Sequence, residues 1–245
     1  MFYRILLCLS LGLLISACSG ANRSIELGDG EVHEGNLSTV NGSIRIGDRC
    51  RVVGEISTVN GSVQIGSESG VGAIRNVNGS ISLGPLSQSG SIESVNGRLS
   101  LAEGVMVNGS ATTVNGRAIA DQGVRIEGDL STVNGPVSLG PDSRVTGRLS
   151  TVNGKLQLIG AQAGSLETSS GSIEVLNGST IHGTLRVRKP QREAGRDIPR
   201  IVIGAGSRVE GPLQFEREVL LHVHESAEIG PVSGAEPIVF SGDSP

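Results

Sequence analysis

Tryptophan is absent from the 245-residue chain, and the aromatic residues are one tyrosine and three phenylalanines. Phe2 and Tyr3 sit at the extreme N-terminus, so only Phe215 and Phe240 remain to fill an interior. A broad globular core draws on more large side chains than this, and sugar-stacking platforms are nearly excluded. Cysteine is equally scarce, at positions 8, 18 and 50. A basic excess is also missing: 20 Lys and Arg against 24 Asp and Glu give a formal charge of −4. That balance offers no electrostatic footprint for nucleic acid or for anionic lipid heads. The one long apolar run, Ile5 to Ile15, is broken by Cys8, Ser10 and Gly12 and is too short for a permanent membrane helix. No phosphate-binding loop, no Gly-x-Ser-x-Gly and no acid pair recurring from unit to unit is found, so the sequence reads as non-enzymatic and no cofactor is expected. Glycine is abundant, at 37 residues, among Val, Ile and Leu. Such a composition fits narrow strands joined by tight turns better than packed helices.

The glycines are periodic. An Asn-Gly pair recurs at Asn41, Asn60, Asn78, Asn96, Asn115, Asn134 and Asn153, with spacings of 18 or 19 residues. Most copies read Ser-Thr-Val-Asn-Gly and are followed by alternating residues such as Ser43, Ile44, Arg45 and Ile46. A second glycine follows at Gly47, Gly66, Gly84 and Gly140, and a third landmark is an apolar residue, a variable one and Gly, as in Val52-Val53-Gly54 and Val145-Thr146-Gly147. Val107-Asn108-Gly109 belongs to this third series, which accounts for an Asn-Gly pair that is out of phase with the others. Each unit therefore holds three short strand-like pieces and three turns. Alternation of period two places Val, Ile and Leu inside and Ser, Arg, Gln and Thr outside.

These units predict an all-β fold: a single-stranded parallel β-helix, a three-sided solenoid of about 18 to 19 residues per turn. Asn-Gly is also a favoured hairpin turn, but a hairpin series would reinstate the motif after every piece, and here it returns once in three. Handedness stays open. Stacked turns bring successive asparagines within about 4.8 Å, so the seven form a structural ladder of side-chain amides, and the glycine beside each supplies the positive φ a tight corner can require. One turn cannot bury its own apolar face, so stability belongs to the stack. The regular part is expected over 24–187, a polar loop with Pro190 and Pro199 over 188–200, and terminal turns with a cap over 201–245.

At the N-terminus, Arg4 precedes the apolar run, which ends in Ile15, Ser16, Ala17 and Cys18. This segment resembles the lipobox of bacterial lipoproteins. The resemblance implies a signal peptide over 1–17, diacylation of Cys18, cleavage before it and a short tether over 18–23. A first mature residue followed by Ser19 implies attachment to the outer membrane, facing the periplasm. Removing 17 of 245 residues leaves 228 and takes Arg4 without any acid, so the formal charge moves from −4 to −5. Cys50 would then be the only thiol, without an intramolecular partner. It lies between Arg49 and Arg51 and reads as a satisfied turn residue rather than a reactive one.

The stretch Ile203-Gly204-Ala205-Gly206-Ser207-Arg208-Val209-Glu210-Gly211, with a second copy at Ile46 to Gly54, resembles the repeat of bactofilins and of hexapeptide-repeat acyltransferases. The Val-Asn-Gly runs are similar to putative-adhesin domains of bacterial envelope proteins. Solenoid cores impose the same pattern on unrelated chains, so the likeness bears on fold more than on function. Of the four histidines, His33, His182, His222 and His224, the last two share one strand face. With Leu221 and Val223 as the inward stripe, both are expected to face solvent, and no third metal ligand can be named. The expected function is a non-catalytic, membrane-anchored envelope lipoprotein acting as a structural or self-associating scaffold. Its rival is an adhesin-like module that binds an envelope polysaccharide or protein partner.

Overall fold

The computed structural model describes residues 22–190, 197–242, 244 and 245. Among these, every regular element is a β-strand, and the ladders are parallel, each strand pairing with its counterpart one turn later. The chain is a β-solenoid with three strands per turn. On the first side lie Ile25–Leu27, Ile44–Ile46, Val63–Ile65 and their successors, in a twelve-stranded sheet that ends at Ile238–Phe240. Eleven steps of about 4.8 Å make that side roughly 53 Å long. The second side carries two-residue strands such as Arg51–Val52 and Met106–Val107, and the third carries the longer strands such as Ile56–Asn60 and Leu130–Asn134.

The core is a set of rows running along the axis. On the first side Ile44, Val63, Ile81 and Leu99 are stacked in register, each at most 1% exposed. On the third side Ile56, Ile74, Ile92, Ala111, Leu130 and Leu149 form the facing row. Short aliphatic side chains fill nearly all of these rows, and Phe215 is the one aromatic side chain buried with them among the described residues. A turn shares each row with its neighbours, so burial and backbone bonding both grow with the number of turns.

The threonines of Ser-Thr-Val-Asn-Gly correct the expected alternation. Thr39, Thr58, Thr113, Thr132 and Thr151 point inward and are buried, as is Thr168 at the same place in the next turn, where the motif has become Glu-Thr-Ser-Ser-Gly, whereas Val40, Val59, Val77, Val95, Val114, Val133 and Val152 are half-buried beside the exposed asparagines. The strand keeps its period of two from the buried Ile or Leu, and the next inward place falls on Thr. Its hydroxyl is used there: Thr58 Oγ1 donates to the carbonyl of Gly42, Thr132 Oγ1 to Gly116 and Thr151 Oγ1 to Gly135. Each bond ties the interior of one turn to the corner of the turn before.

The Asn-Gly corner needs glycine for a different reason from the one expected. Only Gly79, Gly97 and Gly135 in this column have positive φ. What the column shares is closeness: a Cβ on Gly61, Gly79, Gly97, Gly116, Gly135, Gly154 or Gly171 would lie 1.6–2.3 Å from the carbonyl oxygen of the glycine one turn earlier. The left-handed conformation belongs instead to the corner between the first and second sides, where Arg49, Glu68, Leu86 and Asp142 have φ of 54–60°.

Turn length changes late in the chain. The turn from Leu156 to Ile173 is shorter than the turn from Ile44 to Val63, and the turn from Ile173 to Ile201 is much longer than either. The surplus lies between Val187 and Arg200, at the corner where the third side passes into the first. Arg217 donates to the carbonyls of Ser169 and Asp197, tying the C-terminal flank of that corner to the turn before it. The strands Leu220–His224, Glu228–Ile229, Val232–Ser233 and Ile238–Phe240 continue the same stack.

Candidate functional site

The most regular surface feature is the asparagine column. Asn41, Asn60, Asn78, Asn96, Asn115, Asn134 and Asn153 each donate from Nδ2 to the Oδ1 of the asparagine one turn earlier. The column begins at Asn22, which the repeat motif does not reveal because Arg23 follows it in place of glycine; its position one full repeat before Asn41 is the signal that finds it. Seven bonds of 2.7–2.9 Å thus join eight amides in one line. All seven run the same way, donor later in the chain than acceptor, so the amide dipoles add and each bond polarises the next. The line ends at Asn153 because Ser170 takes the next place.

Beside it runs the outward valine row, and beyond that Ser57, Arg75, Glu93, Thr112 and Ser131 in register. Charges on the outer faces pair along the axis: Arg75 bridges Glu55 and Glu93, Lys155 meets Glu174, and Arg208 meets Glu228. These pairs are largely exposed and each contributes little to stability. Their effect is on register, since a slipped turn sets like charges against each other.

The remaining singled-out residues are dispersed. Cys50 is buried at the corner between first and second sides, and its thiol donates to the carbonyl of Gly28. Ser69, in the next turn, donates in the same way to Gly47 and accepts the Cys50 N–H. The thiol therefore stands in for a structural hydroxyl. Leu221 and Val223 face inward and are buried; His222 is half-buried, and His224 bonds through Nδ1 to Ser226 Oγ and meets Phe240 edge-on. His182 pairs with Glu210 some turns away from His33. Among the described residues no group of three or more His, Cys, Asp or Glu is placed to hold a metal ion.

A shallow depression of about 450 Å3 on the second side is lined by Arg125, Glu127, Asp142, Arg144, Thr146 and Gln162. Its lining alternates Arg125 and Arg144 with Glu127 and Asp142, so its charges are of mixed sign. No helix among the described residues is long and apolar enough to cross a membrane. Cys18 and the whole of 1–17 lie outside the described residues.

Fold and surface together define the class: a parallel β-solenoid carrying an external asparagine ladder. Comparison with known proteins returns no match to a family model, to a curated protein or to a solved structure.

Proposed function

We propose that the protein is a non-catalytic scaffold of the bacterial envelope, anchored through a lipidated Cys18 and built to join copies of itself end to end. The observation that carries this reading is the open core at the last turn. Val239 continues the inward row of Ile203 and Val223, yet it is 68% exposed, with no further turn of the described residues over it. Ile238 beside it is 50% exposed. Among the described residues, the Ile238–Phe240 strand pairs on one edge only, with Leu220–His224. At the other end Ile25 and Leu27 are half-buried and, among the described residues, Ile25–Leu27 pairs only with Ile44–Ile46. The first turn of a second copy, laid on the last turn of the first, would extend the parallel ladder and cover both apolar ends. Such a contact joins unlike surfaces, so it propagates into filaments rather than closing as a dimer.

The lipid attachment rests on Ile15 to Cys18 and puts the copies on one membrane, where confinement raises their effective concentration. Sedimentation velocity of a soluble chain beginning at Ser19 tests the association. Oligomers should grow with concentration, and Val239→Lys should abolish them while leaving the β-sheet circular dichroism intact. Persistent monomers of the unsubstituted chain at high concentration would overturn end-to-end association. Intact mass spectrometry of the membrane-bound protein tests the anchor: a mature N-terminus other than acylated Cys18 would overturn it.

A further inference from the structure

The nine Asn-Gly pairs of this chain share one latent reaction. The backbone nitrogen of a glycine can attack the side-chain amide carbon of the asparagine before it, an approach that a Cβ would otherwise obstruct. We infer that the fold sorts these pairs into protected and reactive ones, and that Asn108 is the site at which the folded protein modifies itself by deamidation. The Gly109 nitrogen gives up its proton and bonds to Cγ of Asn108. The bond from Cγ to Nδ2 breaks and ammonia leaves, closing a five-membered succinimide. Water then opens the ring at one of its two carbonyls, leaving aspartate or isoaspartate. Water is the only co-reactant, and nothing is oxidised or reduced.

The attack requires a glycine nitrogen that is free and a side-chain amide that can swing over its own backbone. Inside the ladder, from Asn60 to Asn134, both are denied. The N–H groups of Gly61, Gly79, Gly97, Gly116 and Gly135 donate to the carbonyls of Asn78, Asn96, Asn115, Asn134 and Asn153, at 2.9–3.1 Å. The amides of Asn60, Asn78, Asn96, Asn115 and Asn134 are held from both sides, each donating to one neighbour and accepting from the other. Asn177 is exposed, but the Gly178 N–H is engaged by Ala205.

Asn108 has neither restraint. It sits on the second side, in register with Gly90 one turn before and Glu127 one turn after, so no asparagine stacks on it. Its side chain is exposed and makes no hydrogen bond among the described residues, and the Gly109 N–H has no carbonyl acceptor there. The pair lies in a bend outside the strands. Asn41 and Asn153, at the two ends of the Asn-Gly series, are intermediate: the Gly42 and Gly154 N–H groups lack a carbonyl acceptor among the described residues, but the Asn41 amide is held from both sides and Asn153 Nδ2 is held by Asn134. The product at residue 108 would place a new negative charge beside Glu127. In the isoaspartate form it would also lengthen the main chain by one carbon between the buried Val107 and Ala111.

Peptide mass spectrometry of the full chain, aged in mildly alkaline buffer at body temperature, tests the inference, with isoaspartyl methyltransferase labelling to mark the isomer. The peptide containing Asn108 should convert at least about tenfold faster than those containing Asn60, Asn78, Asn96, Asn115 or Asn134, since each of these must first break hydrogen bonds. In concentrated urea the nine pairs should converge on similar rates. N108Q should remove the fast component and leave the ladder peptides unchanged. Ladder asparagines that convert as fast as Asn108 in the folded protein would overturn the inference. So would an Asn108 that stays intact while the urea control reacts.

Discussion

Replacing Asn96 by alanine is the sharpest test of what the asparagine column contributes. The substitution removes two side-chain bonds at once, the 2.9 Å donation to Asn78 Oδ1 and the 2.8 Å bond received from Asn115 Nδ2. Both orphaned groups are at the surface, so water replaces the lost partner and only the net worth of each bond is forfeited. At about 0.5–1.5 kcal/mol per bond, Asn96→Ala should cost about 1–3 kcal/mol. Asn153→Ala breaks one bond, because the ladder ends there, and should cost about half as much. The two residues are otherwise alike in type, exposure and corner. Urea unfolding followed by circular dichroism measures both. Equal losses at the two positions, or a smaller loss at Asn96, would refute the ladder as a source of stability. Asn96→Asp adds a check of sign. An ionised carboxylate still accepts from Asn115 but has no proton for Asn78 Oδ1, so two oxygens face each other. The protonated acid restores that bond, so the folded state raises the carboxyl pKa above its unfolded value. The penalty is therefore full above the folded pKa and is relieved as pH falls through it. Asn96→Asp should be less stable than Asn96→Ala at neutral pH and should recover toward the parent in acid.

Three further outcomes follow from named contacts and can be read by thermal or urea midpoints. Thr132→Val should destabilise by about 1 kcal/mol through loss of the bond to Gly116, whereas Thr113→Val should stabilise, because the Thr113 hydroxyl is buried without a partner among the described residues. Leu86→Gly should stabilise by about 1 kcal/mol, since Leu86 holds a φ of 58° while leaving 60% of its surface in water. Gly116→Ala should prevent normal stacking, its Cβ falling 1.8 Å from the Gly97 oxygen, whereas Gly70→Ala, whose Cβ meets nothing within 4 Å, should be neutral or slightly stabilising.

The architecture was legible because the corner is nearly invariant while the sides vary. The interval at which Asn-Gly recurs is also the interval that separates paired strands, as in Ile25 with Ile44 and Ile81 with Leu99. The direction of the threonines was not legible from polarity, because a hydroxyl that finds a carbonyl such as Gly42 inside the turn is as well placed as one in water. Nor was the true demand on the corner glycines, which comes from the glycine of the adjacent turn and so from a contact a whole repeat away in sequence. Asn22 escaped notice for a related reason: its place in the column is fixed by stacking, and the local motif around it has changed. The left-handed corner at Arg49, Glu68, Leu86 and Asp142 was marked in only some turns, where Gly30, Gly104 and Gly123 take the same place and conformation, so the non-glycine members gave no local hint of it.

The long turn between Ile173 and Ile201 separates two kinds of information in this molecule. Ile173 and Ile201 stack as closely in register as Leu156 with Ile173 or Ile44 with Val63, so the stack counts rungs and is indifferent to the length of chain between them. That corner should therefore accept added sequence, provided the strand leaving it resumes the inward row. The same corner is where the asparagine column has already stopped, so an addition there interrupts no ladder. A guest segment placed between Arg188 and Arg200 would be displayed at a fixed height along the stack, with its distance from either end set by the number of turns on each side.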